Sequence, residues 1–225
     1  MIGTKLLVVR IALIVGGIGA WHLTQRLLGR RAFPAPSDHE PIRDGIHDLT
    51  ASINRYLADT PSAANRLLIV SSLVIDLLGL YVLGSAALGQ SFQPFIGVLI
   101  LFALRQICQA FCPLPAPRGM IWRKTGVPTL FVTYETASDF FFSGHTAIAV
   151  FGIACLASAL GTTGIVIGVT IAFFEIAAVL VLRAHYTMDV FTGAVTALWV
   201  YHLSWQIAPT VDGWIARLVT VLPPP

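Results

Sequence analysis

Two short motifs hold most of the residues that could do chemistry. The first is Ser143-Gly144-His145-Thr146 and the second is His185-Tyr186-Thr187-Met188-Asp189, each at the edge of a long apolar run. In the second motif a carboxylate follows a histidine by four residues, a spacing that places both side chains on one helix face. Such a carboxylate can hold the imidazole in one tautomer and stabilise its charged form. Two histidines and an aspartate at a membrane surface indicate phosphoryl chemistry on a lipid.

The residue types suggest a role for each member of this set. A neutral imidazole paired with Asp189 is a competent nucleophile toward phosphorus, so His185 would form a phosphohistidine and split the transfer into two steps. His145 would protonate the leaving alkoxide and then deprotonate the acceptor. Ser143 fits an N-cap, Gly144 allows close backbone approach, and the helix N-terminus would bind phosphate oxygens. A lone histidine at a membrane edge is usually just an interfacial polar residue, and it is the combination of two motifs that favours catalysis.

The composition is that of a polytopic membrane protein rather than a soluble domain. Of the 225 residues 56% are hydrophobic and only 11% are charged, and the mean hydropathy is +0.80. A helix needs about 20 predominantly apolar residues to cross the hydrocarbon layer. The chain therefore predicts an all-α fold of six transmembrane helices in a single domain, residues 1–225. The six apolar runs are Leu6–Trp21, Leu67–Leu88, Phe95–Phe111, Thr146–Leu160, Ile165–Leu182 and Val190–Ile207.

The N-terminal part of the chain leaves two alternatives open. Arg10 interrupts the first run, and a signal peptide is the second interpretation of that run, although no Ala-x-Ala site follows it. In the polar stretch His22–Arg66, apolar residues recur at spacings of three and four, which predicts an amphipathic helix along the membrane interface. A mobile loop is the competing interpretation. The recurring residues are Ile42, Ile46, Leu49, Ile53 and Leu57.

Six spans determine which parts of the chain share a membrane face. The His22–Arg66 stretch, the segment Pro113–Phe142 and both histidine motifs would lie on one face, called side B here, and both termini on side A. Basic residues concentrate on side B, so the positive-inside rule places the site in the cytoplasm. A phosphate-binding face also attracts basic residues, which confounds that assignment. The basic residues of side B are Arg26, Arg30, Arg31, Arg43, Arg55, Arg66, Arg118, Arg123 and Lys124.

Three charged residues fall inside predicted spans, namely Asp76, Arg105 and Glu175. Charges in hydrocarbon are costly, so they should face the interior of the bundle and pair there. Either the carboxylates simply neutralise Arg105, or all three form a polar funnel below the histidines. A transporter that uses these charges is a further alternative, although the chain shows neither an inverted repeat nor a pair of broken helices.

With their flanks, the two histidine motifs read Phe140–Thr146 and Ala184–Val190, and they resemble the signature motifs of the sphingomyelin synthase-like family. That family includes the plant phosphatidylcholine:diacylglycerol cholinephosphotransferases and belongs to the lipid phosphatase–phosphotransferase superfamily. The segments Leu104–Gln106 and Phe111–Pro117 resemble its third-span arginine and its Leu-Pro-x-Pro segment. Asp139 is similar to an aspartate of the family. The resemblance covers roughly residues 95–207.

The resemblance implies an enzyme that moves phosphocholine or phosphoethanolamine from a phospholipid to a lipid alcohol, either diacylglycerol or ceramide. It assigns His185 as the nucleophile, Asp189 as its orienter and His145 as the acid and base. The residues expected to bind substrate or phosphate are Arg105, Asp139, Ser143, Gly144, Arg183 and Tyr186.

Departures from the family pattern leave the donor head group and the acceptor open. The family's Cys-Gly-Asp reads Ala137-Ser138-Asp139 here, and the first two spans carry no clear family signature. A lipid phosphatase or phospholipase C-like hydrolase, with water as the acceptor, is the alternative. The chain lacks the Arg-Pro dipeptide of the phosphatidic acid phosphatase branch, which argues against a simple phosphatase.

No cofactor and no metal are expected. The three cysteines show no zinc spacing, and no carboxylate-rich cluster demands an ion. The expected partners are membrane lipids, as donor and acceptor, and a homo-oligomer is compatible with the chain. The net charge of +3 does not call for nucleic acid, because basic residues that flank membrane spans explain it.

Overall fold

The structure is a computed structural model that describes residues 3–29, 42–112, 114–134 and 140–221. In these ranges the chain forms eight α-helices and no strand, which confirms the all-α prediction. The helices are α1 (Thr4–Gly29), α2 (Gly45–Leu49), α3 (Ala51–Asp59), α4 (Pro61–Leu88), α5 (Gln93–Phe111), α6 (Gly144–Leu160), α7 (Thr162–Val181) and α8 (Thr187–Val221).

Four helices, α1, α4, α5 and α7, are long and apolar enough to cross a membrane, which fits an integral membrane protein. The apolar helix α6 has 17 residues. Helix α8 has 35 residues and continues through Pro209 beyond the predicted end of the last span. The six predicted runs fall in these six helices, and the six-span topology itself stays a prediction.

The tight turns between long helices have local causes. Gly161 separates α6 from α7 with a φ of 57°, a conformation that residues with a Cβ rarely adopt. Pro94 lies in the first turn of α5, where its missing N–H leaves no hydrogen bond unmade. Short connections of this kind make consecutive helices antiparallel neighbours. Helix α7 therefore runs back beside α6, and the turn after it brings His185 toward the start of α6.

Helix α6 is the most enclosed of the long helices. Every residue from His145 to Gly152 is buried. Small residues on its neighbours allow this close packing, because a Cβ at Gly168 of α7 would lie only 2.7 Å from the Ile153 Cα. The helix that carries His145 is thus held in a fixed register.

Arg10 gives α1 a specific place in the bundle. Its buried guanidinium donates to three backbone carbonyls at the end of α4 and lies 3.4 Å from the Asp212 carboxylate of α8. Carbonyls at a helix C-terminus carry partial negative charge, so they suit a cation. The charge that interrupts the first apolar run is therefore matched within the bundle. The three carbonyls belong to Ala86, Gly89 and Gln90.

The predicted amphipathic helix is two short helices, α2 and α3, that meet at Thr50. The side that packs on the rest of the protein buries His47 and Asn54 together with Leu57. Asn54 donates to the Val181 carbonyl at the end of α7. The apolar residues Ile42, Leu49 and Ile53 are exposed instead. The mobile-loop interpretation is therefore wrong for residues 45–59, and a place in the membrane interface stays a prediction.

Replacing Arg10 by alanine should destabilise the bundle. The change leaves the α4 carbonyls and Asp212 without their cation, and we expect a loss of about 2–3 kcal/mol, below the full cost of breaking a buried pair because Asp212 is partly exposed. Arg217→Ala is the matched control, since Arg217 is exposed on α8 and donates only within its own helix. Thermal unfolding in detergent measures both. Equal stability of the two variants would contradict this role of Arg10.

Candidate active site

His185 follows a helix ending of defined geometry. Helix α7 stops in a Schellman motif, in which the Arg183 N–H bonds the Leu180 carbonyl and the Ala184 N–H bonds the Val179 carbonyl. Arg183 takes the left-handed position of this motif with a φ of 52°, where glycine is usual. The turn places His185 two residues further on, buried between α7 and α8.

Backbone and side-chain oxygens together orient the His185 ring. Its Nδ1 lies 2.8 Å from the Phe140 carbonyl oxygen. A carbonyl only accepts hydrogen bonds, so this contact requires the proton on Nδ1 and leaves the lone pair on Nε2. The Asp189 Oδ2 lies 3.5 Å from the same Nδ1, beyond the usual N–H···O range. The expected orienter is thus beside the ring, but the closer contact is the Phe140 carbonyl.

Asp189 also organises the start of α8. Its Oδ2 accepts the Tyr186 N–H at 2.8 Å, which is one half of a capping box. Its backbone carbonyl accepts the Ser143 N–H at 3.0 Å, so the first turn of α8 is joined to the start of α6. The buried Oδ1 has no hydrogen-bond partner among the described residues. A buried carboxylate in this position stabilises positive charge on His185.

His145 lies in the first turn of α6. Ser143 is the N-cap, and its hydroxyl oxygen accepts the Thr146 N–H at 3.3 Å. The His145 side chain is buried, and no described residue bonds its Nε2. Since buried polar atoms almost always have a partner, this nitrogen is available for a group of the substrate. The Trp122 ring meets the imidazole edge-on with centroids 5.4 Å apart, which restricts rotation.

Arg105 approaches the histidines from α5. Its Nε donates to the Phe142 carbonyl at 2.9 Å. Gly144 makes this approach possible, because a Cβ at that position would lie 3.2 Å from the same Nε. Gly144 therefore acts by admitting the guanidinium, a group whose planar array of donors suits phosphate.

His145, His185 and Arg105 line one cavity of about 40 Å³. A volume of this kind holds a few water molecules or a small polar group. The structure thus brings the two histidine motifs and the third-span arginine together. The remaining walls are mainly aromatic, formed by Trp21, Phe102, Trp122, Phe131 and Phe140.

Three described residues expected to bind substrate have structural partners and do not line the cavity: Ser143, the N-cap of α6, and Arg183 and Tyr186. The Arg183 guanidinium donates to the carbonyls of Arg118 and His47. The Tyr186 hydroxyl donates to the Pro115 carbonyl at 3.2 Å. Burial raises the pKa of this hydroxyl, so it stays a neutral donor. Both side chains tie the His185 segment to neighbouring loops.

The intramembrane carboxylates also have their own partners. Asp76 accepts the consecutive backbone N–H groups of Leu130 and Phe131, in the loop before α6, both at 2.9 Å. Glu175 is fully buried and accepts the Ser71 hydroxyl at 2.6 Å. Each carboxylate thus has a partner other than the arginine. Asp76 contributes to the site indirectly, by ordering the loop that supplies one aromatic wall.

The sequence patterns did not reveal two residues, Asp44 and His47, that hydrogen-bond to the segment around His185. We call this pair the clasp. Asp44 caps α2 and accepts both the N–H and the hydroxyl of Thr187, at 2.6 and 2.7 Å. The buried His47 donates from Nε2 to the His185 carbonyl at 3.0 Å. Burial acts to raise the pKa of Asp44, but the bonds from Thr187 outweigh it and the pKa is lowered. Asp44 before Gly45 is a cap signal, whereas its second role has no signal in the local sequence.

The described residues include no group of three His, Cys, Asp or Glu side chains placed to hold a metal ion. Asp139, which was expected to bind phosphate, lies outside the described residues. The chemistry that the described side chains can perform is nucleophilic attack by His185, proton transfer by His145 and charge stabilisation by Arg105.

The model of the AtPDCT1/2 family, the phosphatidylcholine:diacylglycerol cholinephosphotransferases, matches residues 44–206. The matched range begins at Asp44 of the clasp and includes both histidine motifs and Arg105. No curated protein and no solved structure matches the chain.

The clasp should stabilise the start of α8. Asp44→Ala removes the acceptor of two Thr187 bonds, and we expect a loss of about 1–2 kcal/mol and faster hydrogen exchange of the Thr187 amide. Asp48→Ala is the matched control, because Asp48 is exposed on the same short helix. Mass-spectrometric exchange and thermal unfolding in detergent measure the two effects.

The difference in stability between the native protein and Asp44→Ala should change with pH in one direction. The pKa of Asp44 is lowered from an ordinary value of 3.8, so its contribution is complete above that value and is lost as the pH falls through the lowered pKa. The native protein should therefore keep its advantage over Asp44→Ala at neutral pH and lose it only in acid. An Asp44→Ala variant that behaves like Asp48→Ala at pH 7 would refute the clasp.

Proposed function

The chain belongs to the AtPDCT1/2 family, whose members are phosphocholine transferases, and we propose that it moves phosphocholine from a phospholipid to a lipid alcohol such as diacylglycerol. Phosphoethanolamine as the transferred group and ceramide as the acceptor are compatible with the same chemistry. The observation that carries the proposal is the His185 ring, whose protonated Nδ1 bonds the Phe140 carbonyl while the ring lines a cavity shared with His145 and Arg105.

In the first step the His185 Nε2 attacks phosphorus. The bond between phosphorus and the diacylglycerol oxygen breaks, and His145 donates its proton to the leaving alkoxide. Because the His185 Nδ1 keeps its proton, the phosphorylated ring is cationic, and the Asp189 carboxylate 3.5 Å away stabilises it. Arg105 stabilises the negative oxygens on phosphorus.

The second step reverses these roles. The neutral His145 removes the proton from the hydroxyl of the acceptor lipid, whose oxygen attacks phosphorus. The bond between phosphorus and the His185 nitrogen breaks, which restores the free imidazole. A lipid alcohol is favoured over water as the acceptor because the cavity is small and lies in apolar surroundings.

The cavity walls favour choline as the head group. A quaternary ammonium is attracted to the faces of aromatic rings, and an aromatic enclosure is a common way to bind it. The tryptophans Trp21 and Trp122 and three phenylalanines line the cavity beside the histidines. A primary ammonium would lack hydrogen-bond acceptors at such walls, so ethanolamine is the weaker candidate.

The central experiment follows head-group transfer in vesicles. Purified protein should move labelled phosphocholine from phosphatidylcholine to added diacylglycerol and should form an acid-labile phosphoenzyme on His185. His185→Gln should abolish both, whereas His202→Gln, an exposed histidine on α8, should keep both. EDTA should leave transfer intact. Rapid release of free phosphocholine without a lipid acceptor would instead identify a hydrolase, and an active His185→Gln variant would end the covalent mechanism.

A second experiment separates the acid from the nucleophile. If His145 protonates the leaving group, His145→Gln should slow phosphoenzyme formation from phosphatidylcholine by about 100-fold or more. The same variant should lose much less with p-nitrophenyl phosphocholine, whose nitrophenolate leaves without a proton. Single-turnover labelling measures both donors. Equal losses would assign His145 a binding or structural role.

A further inference from the structure

A second, much larger cavity adjoins the catalytic cavity. It lies between the last turns of α1 and the segment Lys124–Tyr134, and its volume is about 740 Å³. We call it the vestibule. Thr133 lines both cavities, and on α1 the catalytic-cavity residue Trp21 is followed directly by the vestibule residue His22. The two spaces are therefore adjacent.

The catalytic cavity is too small for a whole phospholipid, so a larger space must lie beside it. A catalytic cavity of about 40 Å³ can take a small polar group such as phosphoryl, but not a glycerol backbone with two acyl chains. The rest of the lipid must therefore lie outside it. The vestibule is the larger neighbouring space in the part of the chain that the structure describes.

The charges that line the vestibule suit a lipid phosphate. Arg26 lies in the last turn of α1, where a spanning helix meets phospholipid head groups, and Lys124 lines the same cavity from the loop. His22 adds an imidazole that can donate a hydrogen bond, and none of the described lining residues is acidic. On the same turns of α1, Leu23 and Leu27 are exposed and offer an apolar surface for acyl chains.

We propose that the vestibule binds the phosphodiester and glycerol of the donor phospholipid before its phosphate moves past Thr133 to His185. The inference rests on the proposed function. This contact is released when the phosphate moves to His185, so it stabilises the bound donor but not the transition state. Its loss should therefore raise KM without lowering kcat. A zwitterionic lipid would bind with its phosphate toward Arg26 and its choline away from the cations.

The test uses the double variant Arg26→Gln with Lys124→Gln in vesicles of phosphatidylcholine and diacylglycerol. The KM for phosphatidylcholine, expressed as surface fraction, should rise at least fivefold while kcat falls less than twofold. A double variant that carries Arg26→Lys in place of Arg26→Gln should recover part of the affinity for phosphatidylcholine, because lysine keeps the positive charge. Arg217→Gln, an exposed arginine at the opposite end of the bundle, is the control and should match the native enzyme.

A second variant tests the space rather than the charge. Val127 lines the vestibule and is 49% exposed, so Val127→Trp can fill part of the cavity without a change in the core. It should raise KM for the long-chain donor more than for a dihexanoyl donor. Val166→Trp, at an exposed position on α7, is the matched control.

Three outcomes would overturn the proposal. One is an unchanged KM in both the charge and the space variant. Another is a loss confined to kcat. The third is a difference between native and double variant that emerges only when phosphatidylglycerol is added, because the vestibule would then bind a separate anionic lipid. Labelling of His185 by p-nitrophenyl phosphocholine in the native protein tests the proposed function alone, so its failure can be told from failure of the vestibule.

Discussion

The site depends on the backbone of four residues, Phe140–Ser143, which directly precede the body of α6. In apolar surroundings each backbone polar group needs a partner, and here the partners are the functional side chains and their supports. The Phe140 carbonyl accepts from His185, the Phe142 carbonyl accepts from Arg105, and the Ser143 N–H donates to the Asp189 carbonyl. The backbone groups of this short segment need hydrogen-bond partners. Meeting that need brings residues of α5 and of the start of α8 close to the start of α6.

Helix ends impose the same requirement elsewhere in the bundle. The first amides of α8 are satisfied by Asp189 from within the helix and by Asp44 from α2. At the opposite end, the last carbonyls of α4 receive Arg10. Charged residues that lower the hydropathy of a segment are therefore the groups that hydrogen-bond the unpaired backbone at these helix ends. Because Asp189 lies at the start of α8 and His185 directly precedes that helix, the short helix α2 supports the candidate site.

Much of this architecture could be predicted from local pattern, and some could not. Apolar runs located the long helices. His185 and Asp189 lie close together, but not on one helix face as their spacing predicted, because His185 precedes α8 and only Asp189 lies in it. The partners of Arg183 and Tyr186 are carbonyls of distant loops, which carry no side-chain signature, so both residues were expected at the substrate instead. The clasp was missed for the same reason, since Asp44 and Thr187 are 143 residues apart.

The chemistry of the proposed transfer explains why one proton carrier is enough. The group that leaves in the first step and the group that attacks in the second are both lipid alcohols, so each step is close to the reverse of the other. His145 gives up its proton in one direction and regains it in the other, and no net proton is taken from solvent. The equilibrium constant for exchange between two diacylglycerols is then near one. The composition of the membrane would set the direction of transfer, and the protein need only lower the barrier and exclude water.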